Sequence, residues 1–441
     1  MTVLKTGQLG GVMAKLEMRM SAVAVALALS GMASTAAGGG FGIATQSGSG
    51  TGNAFAGGAA VADDASVAWS NPAAMTALPS GKQVTISGHI LLPSFKFTNT
   101  GSTGAFAAPG TGEGGDGGGL HVVPNMFYTM DINPQLRFGF AVNVPFGLAT
   151  EYDSGWRGRL TGIESEIKTV NLNPSLAYKV NDVFSIGGGV SLQKIEAKLS
   201  AFTGSAALGD LTLDADDIGF GINVGVLGQV TPRTRVGFTY RSTISYDLEG
   251  SATYSGPSGG LFNAQVRADL KVPDSASWSV LTIVDPKWEV MADLTYTGWS
   301  SVKRLDVIRT TATAGPSPAG GAAGSPLTSL QFNWKDTWRV GVGANYKLDD
   351  QTKLRFGLAF DPTPTNDIDR TPRLPDEDRT WVAFGVQYKP SKQGTLEVGY
   401  VHEFIKDAKI NAGTANPAAG RLIGTFENKA DILSVQYSHR F

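Results

Sequence analysis

The chain has 441 residues, enough for roughly one large domain or two to three ordinary ones. Charged residues make up 17% and the formal net charge is −2, which argues against a nucleic-acid-binding surface as the main role. The chain has no Cys, so disulfide scaffolds, thiolate metal sites and cysteine nucleophiles are excluded.

The N-terminal segment has the pattern of a secretory signal. The basic residues Lys5, Lys15 and Arg19 precede MSAVAVALALSGMASTAA, which has an apolar core of roughly ten residues and ends in small residues. A transmembrane anchor is the alternative, but the apolar core is too short to span a bilayer. We therefore predict a signal peptide over residues 1–37 and an exported protein.

Residues 38–80 do not have the pattern of strands and are rich in Gly, Ala and Ser. Asp63 and Asp64 are suited to cap a helix start, and Asn71 followed by Pro72 is a good N-cap and N1 pair. A disordered periplasmic tail is the alternative, against which the caps and the aromatic residues argue. We predict a plug, or hatch, of short helices. Its aromatic anchors are Phe41, Phe55 and Trp69.

Residues 81–441 alternate between apolar and polar side chains, as β-strands do. In KLRFGLAFD (353–361) the Leu and Phe side chains share one face, and the polar or small residues share the other. A soluble sandwich gives the same alternation. Long strands, aromatic residues near strand ends, and short turns that alternate with long loops favour an outer-membrane barrel.

The chain ends in a strand, LSVQYSHRF (433–441), whose pattern resembles the assembly signal of outer-membrane barrels. Counting strands from residue 83 gives roughly fourteen, an even number suited to closure. We predict an all-β membrane protein of a Gram-negative outer membrane: a 14-stranded antiparallel transmembrane β-barrel with an N-terminal hatch. The barrel-assembly machinery is the expected partner of Phe441.

The hatch sequence GFGIATQSGSGTGNAFAGGAAVADDASVAWSNPAAMTAL resembles that of the FadL-type outer-membrane transporters of long-chain fatty acids and other hydrophobic compounds, including Asp63-Asp64 and Asn71-Pro72-Ala73. The similarity continues in order over nearly the whole mature chain. It includes VPNMFY (123–128), GLATEY (147–152), WKDTWRVGVGANY (334–346) and LPDEDRTWVAFG (374–385).

The resemblance implies passive uptake without a cofactor or metal, by a monomer that contacts outer-membrane lipid and a hydrophobic ligand and is not an enzyme. Ligand enters between the third and fourth extracellular loops. It reaches an apolar pocket near the mature N-terminus and leaves through a gap that a kinked third strand makes in the barrel wall. The hatch gates this release.

The resemblance also assigns candidate residues. Pro145, Phe146 and Gly147 interrupt the third strand and are expected to form the kink, the alternative being an ordinary strand end. Phe41 is expected to fill the ligand pocket as a displaceable stopper, the alternative being a simple anchor. The pocket and an apolar capture groove are expected to include Leu199, Trp156, Leu160, Ile163, Leu208, Leu211 and Leu213, the alternative for the groove residues being ordinary loop packing.

Two departures from the family pattern concern the ligand. Ala201 and Leu330 stand where the fatty-acid transporters place cations, and alternation turns Lys198 to the opposite face. A carboxylate in a dry pocket needs a charge-assisted partner. Long-chain fatty acids remain the first expectation, and neutral aromatic hydrocarbons are the alternative.

Two rival functions come from other classes. A barrel hydrolase requires a Ser and a His at the same height on neighbouring strands, and the sequence gives no sign of such a pair. A general diffusion pore disagrees with the hatch. The acidic run 376–378 lies in a loop, where solvated charge or a surface cation site is the expected role.

Overall fold

The computed structural model describes residues 39–441, except residues 314, 316–319 and 415. The predicted signal peptide, residues 1–37, lies outside the described residues. No helix in the described part of the chain is long and apolar enough to cross a membrane.

The described residues form fourteen antiparallel strands that close into a barrel, which confirms the predicted fold. Each strand pairs with the next, and the last pairs with the first from Gln83 and Arg440 to Asn99 and Gly424. Six of the strands are interrupted once. The strands are β1 (Lys82–Asn99), β2 (His121–Asp131), β3 (Leu136–Asn143 and Gly147–Glu151), β4 (Glu164–Lys179), β5 (Phe184–Phe202), β6 (Asp210–Thr231), β7 (Thr234–Arg241 and Ile244–Tyr254), β8 (Ala264–Val272 and Ser275–Ile283), β9 (Trp288–Thr297 and Arg304–Arg309), β10 (Pro326–Gln331 and Thr337–Lys347), β11 (Thr352–Asp361), β12 (Arg379–Tyr388), β13 (Gly394–Ile405 and Ala408–Gly413) and β14 (Arg421–Arg440).

The barrel turns its apolar face outward. On β11, Phe356, Leu358 and Phe360 are 36%, 52% and 45% exposed, whereas Arg355 and Asp361 on the other face are buried. A soluble sandwich buries its apolar face. The inverted arrangement therefore fits a barrel whose exterior contacts lipid and whose interior is polar.

Short turns join the strands at one end of the barrel and long loops join them at the other, as in outer-membrane barrels. The third long loop, between β5 and β6, is short and covers residues 203–209. Because β6 begins at Asp210, Leu211 and Leu213 are strand residues and pair with Ala201 and Leu199 of β5.

The hatch contains two single-turn α-helices, Gly48–Thr51 and Val67–Ser70, and a 3₁₀ helix, Pro72–Ala77. The predicted cap at Asn71 is confirmed, since its side chain accepts a hydrogen bond from Ala73 N at 3.0 Å.

The expectation that Asp63 and Asp64 cap a helix directly is wrong. The N-cap of the second helix is Ser66, whose backbone N–H donates to Asp64 Oδ1 at 2.8 Å. The other carboxylate oxygen of Asp64 accepts from Ser49 Oγ at 2.7 Å and from Gln436 Nε2 of β14 at 2.8 Å. Asp64 therefore joins two parts of the hatch to the barrel wall.

Candidate functional site

The interruption of β3 leaves a break in the barrel wall. In the described part of the chain, the ladder between β2 and β3 ends at the pair Met126 and Val142. Among the described strands, the second half of β3, from Gly147, forms a ladder with β4 alone. The wall therefore lacks a β2–β3 ladder over the part of β3 that lies nearest the long loops.

The first residues of the hatch pair with this break. Ile43 N donates to Pro145 O at 2.9 Å, and Gly147 N donates to Phe41 O at 2.9 Å, with Gly42 opposite Phe146. The three predicted kink residues are thus brought together with the predicted stopper. A short piece of hatch backbone thus forms hydrogen bonds with backbone N–H and C=O groups of the bend. In an unbroken sheet, a neighbouring strand would form these bonds.

A buried side-chain network fixes this junction. Gln46 Nε2 donates to Ile43 O at 2.7 Å and to Val144 O at 3.0 Å. Gln46 Oε1 accepts from Asn143 Nδ2 at 2.6 Å, and Asn143 Oδ1 accepts from Asn171 Nδ2 at 2.9 Å. Gln46, which sequence reasoning did not select, therefore ties the hatch to the end of the first half of β3, where the bend begins.

Phe41 is 3% exposed and lies in a cluster of four aromatic rings. Its ring centroid is 5.0 Å from that of Trp299, 5.6 Å from that of Trp334 and 5.7 Å from that of Phe146. We call these four residues the aromatic cluster. It joins the start of the hatch to β3 and to the interruptions of β9 and β10.

The aromatic cluster lies between two cavities. The apolar cavity, of about 60 Å³, is on the side of the long loops and is lined by Phe41 and Trp334. The second cavity, of about 310 Å³, is lined by Phe146, Trp299 and much of the hatch. We call it the polar cavity because it is the more polar of the two, although most of its wall is apolar as well. The walls of the apolar cavity include Leu148, Ile167, Leu199, Leu305, Leu330 and Leu374.

The placement of Leu199 and Leu330 bears on the ligand. Both line the apolar cavity, whereas Ala201 lies beyond it on β5. Lys198 is 40% exposed and pairs with Glu164 at 2.9 Å. Of the two positions where the family resemblance leads one to expect cations, Leu330 lines the cavity with an apolar side chain and Ala201 does not line it.

Asp63 anchors the hatch to the interior of the barrel. Its carboxylate lies 2.8 Å from Arg355 Nη2, which also pairs with Glu397 at 2.8 Å, and 3.8 Å from Lys353 Nζ. Burial alone raises the pKa of Asp63, but the charges of Lys353 and Arg355 and the hydrogen bond from Arg355 hold it well below its usual range. Asp63 therefore remains ionised and paired.

Asn71, Pro72 and Ala73 pack on the barrel wall away from the bend. Asn71 Nδ2 donates to Ala59 O at 2.7 Å and to Val226 O of β6 at 3.0 Å. A Cβ at Gly187 of β5 would lie 2.5 Å from Ala73 N, so the backbones approach closely. These contacts seat Asn71 against β6 and Ala73 against β5.

The residues predicted for a capture groove do not form one exposed surface. Trp156 is completely buried, and its ring stacks on that of Tyr152 at 4.3 Å. Leu160 packs against the same cluster, which also contains Phe97 and Phe426. Trp156 and Leu160 therefore hold loops together in this structure.

Leu211 and Leu213 belong to a different part of the molecule. They pack against the cluster that contains Phe41 and Leu148. The two remaining groove residues, Ile163 and Leu208, are half-buried. The structure thus places Leu211 and Leu213 against the cluster that contains the predicted stopper, Phe41, and separates them from Trp156.

The acidic run 376–378 is not the solvated surface charge that we expected. Asp376 is buried and accepts a hydrogen bond from Gly40 N at 2.9 Å. Asp361 of β11 similarly accepts from Gly39 N at 2.8 Å. The two carboxylates hold the start of the described chain beside Phe41, a role that no local sequence signal indicates.

The structure contains a Ser–His pair of the kind that a barrel hydrolase requires and that we did not find in the sequence. His89 of β1 and Ser434 of β14 lie opposite each other, with Nδ1 and Oγ 2.6 Å apart. Both are 0% exposed, and the hatch residue Thr51 covers Ser434 Oγ at 2.8 Å. The other ring nitrogen of His89 faces Ser87 at 3.1 Å instead of a carboxylate. The pair has neither substrate access nor an acid to orient the His.

A closed barrel with an apolar exterior, filled by a hatch that separates two internal cavities, is the architecture of an outer-membrane transporter for hydrophobic compounds. The sequence agrees with the architecture. The chain belongs to the outer membrane protein transport protein family (OMPP1/FadL/TodX), whose model matches residues 29–441. This family consists of transporters rather than enzymes.

Individual relatives resemble the chain over most of its length. A long-chain fatty acid transport protein of Escherichia coli O157:H7 is 28% identical over 338 residues, covering 66% of this chain and 72% of the relative. A Pseudomonas aeruginosa FadL homologue of known crystal structure is 26% identical, with a TM-score of 0.82 over 91% of this chain and 100% of that chain. The Ralstonia pickettii toluene transporter TbuX is 19% identical, with a TM-score of 0.64 over 88% and 98%, so the likeness to TbuX concerns the fold.

Proposed function

We propose that the protein is a passive channel through which hydrophobic compounds cross the outer membrane, with long-chain fatty acids as its main ligands. Ligand enters the apolar cavity from the side of the long loops. The hatch segment of residues 39–46, which we call the N-terminal segment, controls passage from there. The observation that carries the proposal is the position of Phe41, between the two cavities and beside the break in the barrel wall.

The size of the apolar cavity supports a moving stopper. Its volume of about 60 Å³ is well below the roughly 300–1,000 Å³ of ordinary ligand pockets. Withdrawal of the Phe41 ring enlarges it toward the polar cavity. A long hydrophobic ligand is therefore accommodated only as the stopper is displaced.

The pairing of the hatch with the bend supports lateral release. Displacing the N-terminal segment breaks the two backbone hydrogen bonds at 2.9 Å to Pro145 and Gly147. It thereby uncovers the part of β3 that has no ladder to β2. Movement of the stopper and opening of the wall are then one event, which requires no cofactor.

Neutral aromatic hydrocarbons are the second candidate ligands. The apolar side chains that β5 and β10 supply to the cavity favour them. Relatives include both fatty-acid and toluene transporters.

Uptake by cells with and without the protein tests the function. We expect the protein to increase the uptake of radiolabelled oleate and, to a smaller extent, of toluene. No difference for either compound would contradict the transport proposal. A variant without residues 39–80 distinguishes a plugged channel from an open pore, because only a plugged channel gains conductance in planar bilayers when the hatch is removed.

We also infer that the barrel-assembly machinery recognises the terminal strand. Tyr437 and Phe441 are 46% and 58% exposed on the outer face, which supports this role. Replacing Phe441 by Ala is expected to reduce the amount of folded protein in the outer membrane. Unchanged amounts would contradict it.

A further inference from the structure

The long loop between β11 and β12, residues 362–378, contributes charged side chains to the otherwise apolar cavity. Asp369, Arg370 and Arg373 all line it. Arg370 is neutralised, since its guanidinium pairs with Asp367 at 2.5 Å and with Glu377 at 2.6 Å. Arg373 differs from Arg370 in its surroundings.

Arg373 is buried, at 8% exposure, and donates only to neutral acceptors. Its Nη1 donates to Glu164 O at 3.0 Å and to Ser165 Oγ at 2.9 Å, and its Nη2 donates to Ser200 O at 3.0 Å. These bonds use three of the five N–H donors of the guanidinium. Among the described residues, Arg373 Nε is buried without a hydrogen-bond partner.

No carboxylate in the described part of the chain forms an ion pair with Arg373. The side chain of Glu164, whose carbonyl Arg373 contacts, is engaged by Lys198 at 2.9 Å. Burial lowers the pKa of the Arg373 guanidinium to about 10, so it still carries its charge at neutral pH. A buried cation without a counter-ion costs free energy of folding, and an anion that pairs with it offsets this cost.

We propose that Arg373 binds the carboxylate of an anionic long-chain ligand whose hydrocarbon chain occupies the apolar cavity. The inference rests on the proposed transport function and deepens it. The loop supplies the cation that the barrel positions Ala201 and Leu330 do not supply. The unpartnered Nε–H and the remaining N–H of Nη2 provide two donors for a carboxylate.

The other charges at the cavity are consistent with this position. Asp369 repels a carboxylate, but its own carboxylate is engaged by two amides, Asn333 Nδ2 at 3.1 Å and Asn366 Nδ2 at 3.2 Å. Among the described residues that line the cavity, Arg373 is the cation without an acidic partner. A neutral hydrocarbon leaves this charge unsatisfied, so the cavity is expected to prefer fatty acids.

Binding of two ligands that differ only in their head group tests the assignment. The purified full-length protein in lipid nanodiscs is titrated with radiolabelled oleate and with oleyl alcohol. We expect the change Arg373→Gln to weaken oleate binding about tenfold or more, while oleyl alcohol binding changes less than twofold. The change Arg373→Lys keeps the charge and is expected to retain most of the oleate affinity.

Two variants control for charge and for loop anchoring. Lys198→Gln removes a cation that pairs with Glu164 outside the cavity, and we expect unchanged oleate binding. Tyr152→Phe removes the 2.9 Å hydrogen bond from Tyr152 to Pro372 O, which anchors the same loop, and leaves the guanidinium in place. Heat-modifiable migration on gels establishes that each variant is a folded barrel.

Each other outcome overturns the inference in a distinguishable way. Equal loss of oleate and oleyl alcohol in Arg373→Gln, matched by Tyr152→Phe, assigns Arg373 a structural role only. Unchanged oleate binding in Arg373→Gln places the head group elsewhere. If the unaltered protein transports toluene but binds oleate no better than oleyl alcohol, the transport function stands and the carboxylate site does not. Only the absence of any uptake by cells overturns the function itself.

Discussion

Replacing Phe41 by Ala removes the ring that lies between the two cavities. Full burial of a Phe side chain stabilises by about 1.5–3 kcal/mol, and an aromatic pair adds about 0.5–1.5 kcal/mol. Phe41 is 3% exposed and has three ring partners within 5.7 Å. We expect the variant to lose roughly 3 kcal/mol of the free energy that seats the N-terminal segment. The ratio of seated to withdrawn segment then falls about 100-fold.

The barrel itself should remain stable in this variant. The strand ladders do not involve Phe41, and the N-terminal segment keeps its hydrogen bonds to Asp361, Asp376, Pro145 and Gly147. Each contributes about 1 kcal/mol net, so the segment is loosened rather than lost. We expect faster toluene uptake by cells and more frequent open events in planar bilayers, with unchanged heat-modifiable migration of the folded barrel.

Phe55→Ala is the matched control for this experiment. Phe55 is a second hatch Phe, which lines the polar cavity and packs on Trp381 at 6.4 Å, away from the aromatic cluster. Its removal enlarges the polar cavity without joining it to the apolar one, so uptake should not change. If Phe41→Ala folds and its uptake equals that of Phe55→Ala, then the ring is an anchor and not a stopper.

Three further changes test other parts of the hatch. Gly40→Ala should raise uptake, because Gly40 has a φ of 66° and an added Cβ would lie 2.8 Å from the Trp299 ring. The control Gly58→Ala should leave uptake unchanged, because its added Cβ makes only an ordinary contact, at 3.4 Å, with Phe55 O. Equal uptake by the two variants would contradict the steric argument. Gln46→Ala should weaken the junction at the bend by about 1–3 kcal/mol and speed amide hydrogen exchange of residues 41–46; unchanged exchange would show that the backbone pairing suffices. Asn71→Ala should loosen the turn at 71–77 by a similar amount, seen as faster proteolysis within the hatch, and its control is unaltered exchange at residues 41–46.

Most of the fold was predictable because it depends on local pattern. The two-residue alternation in segments such as 353–361 predicts the strands. The signal-like N-terminus predicts export, and an exported barrel with an apolar exterior fits the outer membrane. The helix start with Asn71 as N-cap and Pro72 at N1 was also predictable. Each of these features depends on neighbouring residues, which the sequence displays directly.

The candidate site was predictable only in part, because long loops bring distant residues together. Phe41 was found through the resemblance, but its partners Trp299 and Trp334 come from interruptions of β9 and β10 that period-two alternation does not reveal. Arg373 and Asp376 lie in a loop whose packing depends on contacts with β3, β4 and the start of the hatch. Trp156 was misjudged for the same reason, since the residues that bury its ring, such as Gly114, Phe97 and Phe426, belong to other loops and strands.

The hatch is held in two physically different ways, and this difference supports the proposed movement of the N-terminal segment. Its body is fixed by the buried pair of Asp63 with Arg355 and by backbone contacts so close that a Cβ at Gly357 would lie 2.1 Å from Asn53 C. These contacts must all break together, because they are spread over β5, β6, β11, β12 and β14. The N-terminal segment, residues 39–46, in contrast, has no charged residue and no ion pair. It is held by hydrogen bonds of its backbone and of Gln46 and by the buried side chains of Phe41 and Ile43, and Phe41 lines the apolar cavity. A ligand that competes for the place of Phe41 therefore acts on the segment that is least costly to displace, and the body of the hatch stays in the barrel.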